Sequence, residues 1–466
     1  MSHQPRSIGR GEHHSSAEGP NDPNRNSRRW AAWLAFTCAL SAALLLASCN
    51  RSLLDLTPPT PIPSPTLPPP TAISTATPTS TSVPPTQVGP PTASPPELGE
   101  PIELPKLAPG SEALVQHIQM TDALRGWAVG GIAGDDGRVL RTDDGAVSWQ
   151  DVSPPTFFAD GGAELVTKAA FLDSDHAWVV RYTPIQGEPA GGGVPLVTWI
   201  TEDGGASWAH GQPIFVPFIG TDFAEPYLLF ADPENGWLLG RLGGAGMHQY
   251  PVSLYGTGDG GMSWQILSEP FGTEDAGLMS CYKSGMAFDT AGTGVLTIES
   301  CPITGAEVLL TEDGGQSWTP ITLPEPTTHP GLYDSASCES HSPAILDGGE
   351  IKVGVMCRTF DGNVGDQAFL YTSTDDGAHW ATVESVPGEL IFLSPETLWA
   401  TGHELYRSLD GGETWVQVKL VSWQGQFSFV SEDLGWAVAR SDADLAFVKT
   451  TNGGRTWSLE EPVIAP

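Results

Sequence analysis

Thr311-Glu312-Asp313-Gly314-Gly315-Gln316-Ser317-Trp318 decides the fold, because its pattern, T-x-D-x-G-x-S-W, returns seven times between residues 142 and 457. The other copies are Thr142-Asp143-Asp144-Gly145-Ala146-Val147-Ser148-Trp149 and the octapeptides ending at Trp208, Trp264, Trp380, Trp415 and Trp457. An apolar run, here Val308-Leu309-Leu310, enters as a strand. Asp313 is placed to accept N–H groups from the residues just ahead of it, and Gly314 and Gly315 supply positive φ, so the pattern reads as a β-hairpin tip. Ser317-Trp318 opens the leaving strand with an aromatic plug. Asp144, Asp203, Asp259, Asp375 and Asp410 take the same role, as does Asn452, whose amide makes the same turn.

A second signal precedes most tips: Gly126-Trp127-Ala128-Val129-Gly130, Ala177-Trp178, Gly236-Trp237, Leu398-Trp399 and Gly435-Trp436. The fourth and fifth units replace the Trp, reading Gly294-Val295-Leu296 and Val353-Gly354-Val355. Upstream again lies an apolar residue and an acidic turn, as in Phe171-Leu172-Asp173 and Phe230-Ala231-Asp232. Each unit of about fifty residues therefore reads strand A, turn, strand B, loop, strand C, Asp tip, strand D. Seven such units predict an all-β, seven-bladed propeller of four-stranded antiparallel blades over residues 109–466.

These tips resemble Asp-box, or BNR, repeats. Together with the Gly-Trp strand, residues 111 to 460 are similar to the photosystem II assembly factor family of propellers. That resemblance implies a non-catalytic scaffold with protein partners, among them membrane-complex subunits. Asp-box propellers also include sialidases and other glycosidases, so a glycan ligand stays as the alternative.

Residues 30 to 48 form an apolar run after Arg25, Arg28 and Arg29 and end at Leu46-Ala47-Ser48-Cys49. This reads as a secretory signal, residues 1–49, with a bacterial lipobox in which Cys49 carries the lipid. An uncleaved transmembrane anchor is the competing reading. Residues 50–108 are dominated by Pro, Thr and Ser and cannot build a core, so they are expected to be a disordered stalk. Extended, its length reaches ~150 Å at about 3.1 Å per residue. The expected location is extracytoplasmic, anchored by lipid to the cell membrane.

Removing the five arginines and three acids ahead of Cys49 from 21 basic and 55 acidic residues leaves 16 and 52. Such a surface repels nucleic acid. No D-x-D-x-D-G loop, C-x-x-C pair or H-x-x-x-H spacing points to a metal, and no cofactor is expected. Cys281 lies eight residues before Asp289 and Cys301 twelve after it; Cys338 lies nine before Asp347 and Cys357 ten after it. Each pair brackets an A–B hairpin, which predicts the disulfides Cys281–Cys301 and Cys338–Cys357.

No F/Y-R-I-P or G-x-S-x-G element is present, and Tyr255, Tyr371 and Tyr406 sit on C strands where packing accounts for them. Trp423, in the connection to the last blade, is expected to plug a seam between blades. The B–C and D–A loops share one face and differ between repeats, whereas the Asp tips are near-identical. Partner binding is therefore expected on the first face, with Arg138, Arg181, Tyr182, His248, Tyr250, Arg358 and Phe360 as candidates.

Overall fold

The computed structural model describes residues 99–157, 166–182, 193–217, 226–241, 250–269, 278, 281–299, 305–360, 366–402, 404–421, 423–441 and 444–466. All lie in the unit spanning residues 88–466. Cys49, Cys301, His248, the signal and most of the expected stalk lie outside the described residues. No described helix is long and apolar enough to cross a membrane.

Seven antiparallel sheets follow one another in sequence, each ordered A-B-C-D as the repeat predicts. Blade one is Leu114–Met120, Gly126–Ile132, Asp135–Thr142 and Ser148–Asp151. Blade four is Tyr282–Phe288, Gly294–Glu299, Glu307–Thr311 and Thr319–Thr322. Blade five has the long hairpin Ala336–Leu346 and Glu350–Thr359, followed by Gln367–Ser373 and Ala381–Ser385. The A strands of blades two to six contact one another in succession, starting with Val166–Phe171 on Tyr227–Phe230, and that of blade seven, Gln424–Phe429, contacts Leu114–Met120 of blade one. They therefore surround the axis, and the D strands form the rim.

Ring closure uses both ends of the domain. The C-terminal strand Val463–Ile464 adds in parallel to Ser148–Asp151 at the rim of blade one. On the same blade Ile102 pairs with Thr156, and Leu107 is buried. The last residues of the expected stalk, 102–108, thus pack on the propeller because backbone acceptors at its edge are open to them.

The seams between blades explain the Gly-Trp signal. Trp127, Trp178, Trp237 and Trp399 each stack on the phenylalanine ending the next blade's A strand, with ring centroids 5.3, 3.7, 3.9 and 3.9 Å apart. The indole N–H of Trp178 donates to the Gly260 carbonyl and that of Trp237 to the Gly314 carbonyl, both at 2.8 Å, in the Asp tip of the next blade. Trp436 closes the ring by donating to Gly145 at 3.3 Å. In blade three the preceding glycine lets the Phe230 ring lie close, since a Cβ on Gly236 would stand 2.4 Å from it, whereas blades two and six carry Ala177 and Leu398 at that position.

Blade five departs from the sequence reading. The ladder pairs Thr372 with Lys352, just as it pairs Arg141 with Trp127, so Lys352 and not Val353 occupies the tryptophan position. Lys352 is buried, bound to Glu350 at 2.8 Å, and its ammonium reaches the Gly411 carbonyl of the next tip at 3.5 Å. In blade four the position holds Val295, as expected, opposite Leu310. These two blades carry the cysteines. Cys338 and Cys357 face each other across the ladder and form the predicted disulfide, with Cα atoms 4.0 Å apart. Cys281 is also disulfide-bonded, and its expected partner lies outside the described residues. Trp423 plugs the seam between blades six and seven, packing on Phe427 and Trp457 at centroid distances of 5.5 and 5.8 Å.

Candidate functional site

The Asp tips are turn elements, built as expected but with a division of labour that the sequence did not disclose. Asp313 is exposed; its carboxylate accepts the Ser317 N–H at 2.9 Å and the hydroxyls of Ser317 and Thr311 at 2.6 and 2.7 Å. The buried N–H of the turn, that of Gly315, goes instead to the Thr311 hydroxyl at 3.0 Å. Thr311 is 2 % exposed. It thus links the buried turn to the exposed carboxylate. The arrangement recurs from Thr142 and Asp144 to Ser408 and Asp410, and Asn452 makes it with Thr450 and Thr456. Positive φ is kept at Ala146 (71°) and Asp376 (56°), where the pattern has glycine. Partial desolvation pushes the Asp313 carboxyl up, but hydrogen bonds from Ser317 and Thr311 hold it below its ordinary value.

The B–C and D–A face divides the expected contact residues into two groups. Arg181 and Tyr182 are 1 % and 2 % exposed, and Arg138 is also buried, which takes all three away from the surface open to a partner. Arg138 is paired with Asp135 and, at 3.4 Å, with Asp151. Arg181 crosses the seam to blade one and donates to the carbonyls of Pro154 at 2.8 Å and Gly137 at 3.1 Å. Burial first, and then the charge of Arg138, pushes its pKa down to about 10, against the opposing pull of Asp151 and Asp135. The sequence placed these arginines at strand ends but gave no sign that blade one closes over Arg181 or that the Pro105 carbonyl meets Arg138.

Arg358 and Phe360 stay outside. The Phe360 side chain is 73 % exposed, while its N–H is held by the Ser335 carbonyl at 3.0 Å. The Arg358 guanidinium is mostly exposed and leans on Glu339 at 3.0 Å and Asp366 at 3.9 Å. Arg358 follows Cys357 directly and Phe360 comes just past the strand end, so a disulfide-stapled hairpin presents them. Tyr250 is half-buried, with its ring perpendicular to that of Tyr282 at 5.8 Å.

Nearer the axis on this face is a group the sequence reading missed. His117, on the A strand of blade one, is exposed, yet desolvation and the charges of Lys168 on blade two and Arg440 on blade seven lower its pKa. Arg440 is itself tied to the Gln116 carbonyl at 3.2 Å. The signal was only the scarcity of cations in so acidic a chain.

The tyrosines are engaged in packing. The Tyr255 hydroxyl donates to the Phe215 carbonyl at 2.7 Å, and burial pushes its pKa up to about 12. Tyr371 is fully buried, with its hydroxyl on the Pro324 carbonyl at 2.8 Å, and Tyr406 donates to Glu404 two residues away. Lys283 is buried against the carbonyls of Leu278 and Cys281, and burial pushes its pKa down to about 7. Among the described residues no group of three or more His, Cys, Asp or Glu is arranged to hold a metal ion.

Comparison with protein-family models and with curated proteins gives no match. Solved structures do. The chain is 19 % identical to YCF48 from Cyanidioschyzon merolae, over 76 % of this chain and 99 % of that one, with a TM-score of 0.40. It is 13 % identical to an ulvan lyase bound to a GlcA–Rha3S oligosaccharide, over 77 % of this chain and 97 % of that one, with a TM-score of 0.44. Hadza microbial sialidase Hz136 is likewise 13 % identical, over 60 % and 68 % of the two chains, at a TM-score of 0.37. Likeness at this level concerns the propeller alone, and proteins of unlike activity share it.

Proposed function

We propose that this chain is a lipid-anchored, extracytoplasmic propeller that binds a protein partner without catalysis, in the manner of the photosystem II assembly factor family that its repeats resemble. The observation that carries this reading is the presentation of Arg358 and Phe360: an exposed aromatic ring beside an exposed guanidinium, on backbone fixed by the Cys338–Cys357 disulfide. Aromatic and arginine side chains dominate interface hot spots, and a rigid support lowers the entropy lost on binding. Tyr250 and the His117–Lys168–Arg440 group extend the same face. The Tyr255 and Tyr371 hydroxyls are engaged by backbone carbonyls rather than by a general base.

The test is crosslinking of the full-length protein in its own membranes. A defined partner should be captured by the wild-type protein and lost in the Arg358→Glu, Phe360→Ala double variant. Capture of the same partner by that variant, or glycan hydrolysis by the purified protein, would overturn the assignment.

A further inference from the structure

A groove of about 560 Å³ lies on the opposite face, at the seam between the Asp tips of blades three and four. Gly258 opens it, and Gly256 makes room for Leu267, whose Cδ1 would stand 2.8 Å from a Cβ there. At the position just before the tip's first hydroxyl residue, the other blades carry Arg141, Ile200, Leu310, Thr372, Arg407 or Lys449, whereas blade three has Gly256. At the position just after it they carry Asp143, Glu202, Glu312, Thr374, Leu409 or Thr451, whereas blade three has Gly258. Only in this repeat are both side chains missing, and both glycines line the groove. Neither lies in the left-handed region, so turn geometry does not demand them. A Cβ on Gly258 would meet nothing nearer than the Asn235 amide oxygen, at 3.9 Å.

The lining is polar and rich in acceptors. The Asn235 amide nitrogen is committed to Asp232 and that of Gln316 to the Asp313 carbonyl at 2.9 Å, which leaves their amide oxygens for a ligand. The Gln265 amide and the Thr290 hydroxyl make no hydrogen bond among the described residues. Asp259 and Asp313 add carboxylate oxygens, so an anion is repelled here. Leu267 and the edge of Trp237 supply an apolar strip. The volume falls within the roughly 300–1,000 Å³ common for ligand pockets. An open groove of neutral amides and acceptors with a narrow apolar strip matches a chain of uncharged sugars, whose hydroxyls donate and whose C–H faces pack.

We infer that this groove is a second binding site, for an uncharged oligosaccharide segment, with Gln265, Gln316, Asn235 and Thr290 as the hydroxyl partners. It is independent of the protein-binding face, and its loss leaves that face intact.

The experiment is saturation-transfer NMR and calorimetric titration of the full chain with neutral cello- and manno-hexaose, a cationic chitosan hexamer and an anionic galacturonate hexamer. A neutral hexamer should bind at least tenfold more tightly than the anionic one. Gly258→Glu restores a residue that blades two and four tolerate; it should weaken binding at least tenfold and leave the melting midpoint unchanged. Gln265→Ala should weaken the same binding several-fold. Absence of binding by both neutral hexamers, tighter binding of the anionic one, or full affinity in Gly258→Glu would overturn the proposal.

Discussion

Blades three and four differ at their forward seams in a way that shows what the repeat needs. Ahead of blade three, Trp237 stacks on Phe288 and donates to the Gly314 carbonyl. Ahead of blade four, Val295 offers neither a stacking face nor a donor; ahead of blade five, Lys352 offers a donor without the face. What persists is a filled hydrophobic seam, and the donor to the next tip is replaceable. The two blades that lack the tryptophan are also the two with cysteines bonded in disulfides. In blade five, restraint within the blade stands where the clamp between blades is reduced.

The sharpest way to break this contrast is Trp237→Ala. It removes a large buried aromatic and orphans the Gly314 carbonyl, so unfolding should become easier by about 3–5 kcal/mol. Val295→Ala should cost less, about 1–3 kcal/mol, because fewer buried atoms are lost. Chemical denaturation of both variants checks the order, and equal losses would show that the stack has no special weight.

The disulfide comes next. Replacing Cys338 and Cys357 together by Ser should lower stability by about 2–4 kcal/mol, chiefly through the freed unfolded chain. A loss confined to fluctuations of blade five, read by amide exchange, would sharpen the link to the missing tryptophan. Lys352→Met, which keeps the stem and removes the ammonium, should cost about 1–3 kcal/mol by stranding Glu350 and the Gly411 carbonyl. A neutral outcome would mean that blade five needs no donor across its seam.

The smallest effects belong to the tips. Thr311→Val strands a buried N–H and should cost about 1–3 kcal/mol, whereas Asp313→Ala removes partners that water can replace and should cost about 1 kcal/mol or less. The carboxyls of these tips titrate below their ordinary range, with Asp410 held down to about 2 first by the Thr414 hydroxyl and then by its N–H. A depressed folded pKa gives stability that is present above the unfolded value of about 3.9 and is lost as pH falls through the folded value. The melting midpoint should therefore fall between about pH 4 and pH 2, and less steeply in Asp313→Ala.

The fold was legible because each repeat states its own turns: Asp313, the glycine pair and Trp318 dictate a hairpin tip from local chemistry alone. Lys352 was not legible as the tryptophan's replacement, since Val353-Gly354-Val355 resembles the motif and only pairing with Thr372 fixes the register. Burial of Arg181 depends on blade one covering the strand end, and that of Tyr182 on the cluster shared with blade three, tertiary facts without a local sign. Gly256 and Gly258 were visible as letters, but a groove made by missing side chains appears only once the neighbouring blade is in place.

The proposed function assigns different roles to the two faces, and one binding measurement addresses it. The affinity of the crosslinked partner should be compared for wild type, Arg358→Glu with Phe360→Ala, and Asp313→Ala, each alongside its melting midpoint. The double variant should lose at least tenfold in affinity at an unchanged midpoint, and Asp313→Ala should keep its affinity at a lowered midpoint. Full affinity in the double variant, with loss in Asp313→Ala, would contradict the account and place the partner on the Asp tips.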